Sequence, residues 1–139
     1  MSIEAALYAK LATAGGAVAN LVGARIYPIR APQDAAMPYI LFQRISGLHE
    51  HSHDGISGLA EARFQITSVA TTYLAAGALA EAVRLAIDGQ GPVTWSTVIV
   101  CSVFLENDSD EPYEVIPGSE AGYVGVRQDW QIAYQEAQA

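Results

Sequence analysis

The sequence is poor in cysteine, in basic residues and in long apolar runs, and each shortage removes a class of function. A single cysteine, Cys101, among 139 residues permits no disulfide within the chain, which suits a reducing compartment. It stands mid-run among Val and Ile with no base in sequence range, so it reads as a buried, inert core thiol. Apolar runs such as residues 97–105 fall far short of the ~20 residues that span a bilayer, and no membrane partner is expected. The opening MSIEAALYAK carries Glu4 and no basic segment before its apolar residues, unlike a secretory signal.

Base is scarcest of all. Seven Lys and Arg face fifteen Asp and Glu, for a net charge of −8. The basic residues (Lys10, Arg25, Arg30, Arg44, Arg63, Arg84, Arg127) are scattered singly, whereas a grip on nucleic acid needs them clustered to displace phosphate counterions. Half the chain is apolar (51%) and only 16% is charged, which argues against disorder and leaves few charges for an isolated soluble monomer. The length suits one domain over residues 1–139.

What is present is an alternation of helical and strand patterns. Ile3, Leu7, Leu11, Ala14, Val18 and Leu21 recur at helical spacing, with a break at Gly15–Gly16 that leaves AVANLV as a short second piece closed by Gly23. RIYPI predicts a short edge strand, because Pro28 cannot donate to a central ladder. YILFQRIS (39–46) and LAEARFQITSVA (59–70) predict strands flanking a polar, glycine-bearing segment, together a long β-hairpin. TTYLAAGALAEAVRLAID predicts a helix capped by Thr71 or Thr72 and stopped by Gly89, with Leu79, Val83 and Ile87 on its buried stripe. VTWSTVIVCSVFLE, apolar on both faces, predicts a central strand. ENDSDEPYEVIPGSE (106–120), with six acids and no base, predicts a solvated, flexible loop. GYVGVRQDWQIAYQE predicts a last strand with one wet face. The sum is an α+β fold, a mainly antiparallel sheet of about four to five strands with two helices packed on one face.

The stretch HEHSHDG raises the one chemical question. All three histidines, His49, His51 and His53, alternate there beside Asp54. His-x-His is a genuine zinc pair, since alternate strand residues point the same way. Yet the order here is His-x-His-x-His-Asp, whereas the metallo-β-lactamase class has His-x-His-x-Asp-His, and no histidine follows His53 to complete a site. In an extended strand His49 and His53 stand about 13 Å apart, against ligand distances of about 2 Å. No phosphate-cradling Gly-rich loop, no Gly-x-Ser-x-Gly elbow and no cofactor-binding motif occurs. The chain offers no positive sign of catalysis, and neither a cofactor nor a metal is expected.

Several phrases, in their order, do carry a likeness. ALYAKL, LVGARIYPIRAPQDAAMPYILFQRIS, HSHDGISGLAEARFQI, ALAEAVRLAIDG and ENDSDEPYE with GYVGVRQDWQIAY together resemble the tail-completion (tail-terminator) family of long-tailed phages and gene transfer agents, over residues 3–134. The resemblance implies a small α+β subunit that assembles in the host cytoplasm into a homo-oligomeric ring, usually a hexamer, at the head-proximal end of the tail tube. It implies as partners the tail-tube protein and a head-tail connector or stopper, with DNA passing through but not specifically bound. It also makes the histidine stretch an ordinary hairpin turn. A stopper or other minor tail protein is the nearest alternative, and a small metal-dependent enzyme on His49, His51 and His53 the distant one. The residues that such a reading places at an interface or the ring lumen are His49, His51, His53, Asp54, Asp108, Asp110 and Glu111.

Overall fold

The computed structural model describes residues 3–12, 16–23, 25–29, 36–52, 55–89, 91–95, 98–115 and 122–135. Its elements are α1 (Ile3–Leu11), α2 (Ala17–Val22), β1 (Ile26–Pro28), β2 (Tyr39–Ser52), β3 (Gly55–Ala70), α3 (Tyr73–Ile87), β4 (Val93–Trp95), β5 (Val98–Val115) and β6 (Gly122–Gln135). The strands form one six-stranded sheet in the order β1-β2-β3-β6-β5-β4. All neighbours are antiparallel except the short edge strand β1, which runs parallel to β2.

The helices arise where the spacing places them. Thr72 caps α3 by accepting from the Ala75 N–H at 3.2 Å. The helix ends at Asp88, followed by Gly89 at φ 71°, a conformation suited to glycine. Gly23 closes α2 in the same left-handed region at φ 59°. A single core then gathers both helical layers onto one face of the sheet: Leu7 and Leu11 of α1, Leu79 and Val83 of α3, and Phe64 and Ile66 of β3 belong to one buried cluster. Trp130 and Ile132 of β6 are wholly buried at its centre, and Trp95 closes it beside β4. Each such side chain contributes roughly 1.5–3 kcal/mol by leaving water.

Five expectations need correction. The sheet has six strands, not four to five, and the described helices number three, α1 and α2 being separate pieces. Leu21, expected on the apolar stripe, is 42% exposed, while Val18 and Val22 carry the buried side of α2. VTWSTVIVCSVFLE is not one central strand. It splits into β4, at the sheet edge, and β5, next to it, while β3 and β6 occupy the centre. Cys101 is half-buried and not a core residue, because a register shift between Val100 and Ser102 bulges it out of the ladder. Gly91 makes the return into β4 possible, since at φ 132° a side chain there would collide with the Cys101 carbonyl.

The fifth correction concerns the acidic run. Residues 106–115 are not loop but the distal half of β5, paired to β6 through Asp110↔Val126, Glu111↔Gly125 and Val115↔Gly122. The rest of the run, residues 116–120, lies outside the described residues, as does Glu120.

Burial predicts a contrast within α3. Leu79 is 1% exposed and Leu74 84% exposed. In denaturant unfolding, Leu79→Ala is expected to cost about 2–5 kcal/mol, whereas Leu74→Ala should stay within about 0.5 kcal/mol. Equal losses at the two positions would contradict the packed face described here.

Candidate functional site

The sequence-nominated residues fall at two opposite ends of the sheet. His49 and His51 lie on the terminal stretch of β2, paired to Ala60 and Ile56 of β3 across another register shift. The hairpin closes at Ser52↔Gly55, and His53 and Asp54 lie outside the described residues. The acids lie elsewhere. Asp110 pairs at the level of Val126 and hence of Ser68 on β3, eight positions along β3 from the level of His49. At about 3.3 Å per residue that is roughly 26 Å. Histidines and acids therefore cannot share one centre, and among the described residues no three metal-ligating side chains gather.

Asp108 and Asp110, by contrast, do border a built feature. They share the sheet face with α3, because each pairs with an inward position of β6, Gln128 and Val126. Where the first half of α3 meets the sheet, the contacts are made by Ala70, Ala76, Ala80, Val124 and Val126. These small side chains leave a groove of about 400 Å³ between α3 and β5. At its upper rim Tyr73 Oη donates to Asp110 Oδ2 at 3.1 Å. The hydrogen bond to that carboxylate, and its negative charge, hold the Tyr73 phenol above its ordinary 10.0. At its lower rim the Arg84 guanidinium donates to Glu81, which keeps the Glu81 carboxyl below its usual range and raises Arg84. Arg84 also reaches Asp88 at 3.9 Å.

The groove floor holds a residue that sequence reasoning passed over. Gln128 is 2% exposed; its Nε2 donates to the Ala80 carbonyl at 3.1 Å, while its Oε1 has no hydrogen bond. The signal was there: in the inward row Val124, Val126, Gln128, Trp130, Ile132 it is the one polar side chain.

Two further surfaces complete the inventory. The sheet face away from the helices is polar, laced by Arg63–Glu106 at 2.9 Å and by Gln131 donating to Glu61 at 3.0 Å. Phe104 stands 58% exposed on β5 nearby. At the opposite edge, α1 and the β1–β2 pair enclose an apolar groove of about 590 Å³, bordered by Tyr8, Ile29, Phe42 and the Arg44–Glu4 ion pair. Ile29 stands 68% exposed there with a φ of 67°, a strained conformation for a β-branched residue. These are surfaces for contact. None of them brings a nucleophile to a base.

Comparison with known proteins is consistent in direction. The family model described as tail completion protein gp17 matches residues 5–114. Among solved structures the chain is similar to one in the virion of a native gene transfer agent particle, with a TM-score of 0.75 and 19% identity, covering 96% of this chain and 95% of that one. No curated protein matches it.

Two outcomes are expected at these sites. Asp110→Asn removes both the carboxylate acceptor and its charge, so the tyrosinate absorbance step assigned to Tyr73 (by its loss in Tyr73→Phe) should move down toward 10.0. A step that stays put would show that Asp110 does not control the phenol. Replacing His49, His51 and His53 together by alanine should leave metal content and melting temperature unchanged. Loss of a stoichiometric metal ion on that replacement would restore the metal reading.

Proposed function

The chain belongs to the tail completion protein gp17 family, and from that membership we propose that it is a virion structural protein, a tail terminator. Copies of it form a ring, taken here as a hexamer, at the head-proximal end of the tail tube. The ring stops tube growth and offers its far surface to the head-tail connector. The observation that carries the reading is the extent of the family match, which spans every helix and all strands but the last. The fold likeness to a chain of a gene transfer agent virion supports it from a second direction.

The surfaces suit assembly. Unlike patches on different sides of one subunit are what a heterologous, ring-closing contact requires. Glu106, Asp108 and Asp110 are repeated in every subunit, and with a net charge of −8 per chain a ring repels phosphate. DNA then passes through the ring without being held. The hairpin bearing His49 and His51 and the strand end bearing Glu111 lie at opposite ends of the sheet, so they reach different neighbours.

Deletion of the gene in a producing cell separates terminator from stopper. Loss of a terminator is expected to give headless tubes longer than those of normal particles in electron micrographs. Tubes of normal length that merely fail to join heads would instead assign the chain to the stopper role.

A further inference from the structure

The outer surface of α3 is organised in three strips. At 100° per residue, Tyr73, Gly77, Glu81 and Arg84 turn toward β5 and line the acidic groove. Ala82, Leu85 and Ala86 turn toward α1 and α2, where with Lys10 and Val18 they line a second groove of about 270 Å³. Between the two runs an apolar ridge, with Leu74 84% exposed and Leu85 69% exposed. The two lie eleven positions, about 16 Å, apart along the axis and leave apolar surface open to solvent.

The two grooves have opposite electrostatic characters. The first contains Glu81, Asp108 and Asp110 against Arg84 alone, and Arg84 is already committed to Glu81. It also exposes a need for a donor, because the buried Oε1 of Gln128 accepts no hydrogen bond. The second contains a single ionisable group, Lys10, which makes no ion pair among the described residues. An ammonium is a donor only, with three N–H bonds to place. Three of the other described basic residues, Arg44, Arg63 and Arg84, are held by carboxylates of their own chain.

We propose that the α3–β5 groove of one subunit receives Lys10 of a second copy of this chain, with Asp108 and the Gln128 amide oxygen as its acceptors and the Leu74–Leu85 ridge as the apolar seal around them. The occupant is a second copy because the missing charge and the missing acceptor occur on different flanks of the same helix. A contact between those unlike flanks is head-to-tail, and repeats until it closes. This inference rests on the ring reading above and adds to it the residues that join one subunit to the next.

Purified full-length chain, examined by sedimentation and negative-stain microscopy, tests it through charge exchange. Circular dichroism of each variant first verifies the fold; Asp108 and Lys10 both lie on the surface, so their reversal leaves the core intact. Asp108→Lys and Lys10→Glu should each raise the protein concentration needed for closed rings by about tenfold or more. The combined variant should recover most of that loss, since it restores the pair with reversed polarity. Rings that form normally with Asp108→Lys overturn the contact while leaving the ring reading intact. Losses that simply add in the combined variant overturn Lys10 as the partner. A wild-type chain that stays monomeric at every concentration overturns both readings together.

Discussion

The pairing of β3 with β6 is the constraint on which the rest of this structure depends. It runs unbroken from Leu59↔Gln135 to Ala70↔Val124 and joins two hairpins far apart in sequence. The twelve pairs of that ladder match the alternation of the two strands, so a slip of one residue would turn either Phe64 and Ile66 or Trp130 and Ile132 out to water. Once it is fixed, β2 and β5 add to its two outer edges. The helices have only one apolar face on which to settle, and both α1 and α3 settle there.

The same ladder explains what could be read in the sequence and what could not. α3, the histidine-bearing hairpin and the alternation of β3 were legible because each signal is local: a capping Thr72, a glycine after Asp88, apolar residues every second position. The acidic half of β5 was not. Asn107, Asp108, Ser109, Asp110 and Glu111 have poor strand propensity, and taken alone they describe a loop. They are extended because Gln128, Arg127, Val126 and Gly125 of β6 present a free row of backbone donors and acceptors opposite them. A partner strand more than a dozen residues away therefore decides a conformation that the local residues disfavour. Cys101 escapes the periodicity for a related reason: a bulge shifts phase by a residue, and alternation extrapolated through such a shift assigns the wrong face.

Overhang at the two ends of the sheet follows from strand lengths. β2 and β3 continue past the last β3–β6 pair to Ser52↔Gly55, and β5 and β6 continue past the other end to Val115↔Gly122. The first overhang carries His51 and the second carries Glu114. One fold thus projects two chemically different arms in opposite directions along the strands. Across the strands it offers the apolar α1–β1 groove at one edge and exposed Ile99 and Phe104 toward the other. A subunit with different surfaces on every side suits contact with several unlike neighbours.

This distribution also explains why no motif betrayed the function. Catalysis concentrates its requirement in a few residues whose identity is dictated by chemistry, so spacing in the sequence can reveal it. Assembly spreads the requirement over patches whose members need only be apolar, acidic or basic in the right place. On the ring reading proposed above, a chain of net charge −8 would meet copies of itself against a long-range repulsion. The short-range terms that overcome it must come from apolar burial and from placing the scarce bases opposite acids. Half of the six described bases are already consumed within the subunit: Arg44 by Glu4, Arg63 by Glu106, Arg84 by Glu81. What remains for a neighbour is sparse, and its sparseness is what makes its position informative.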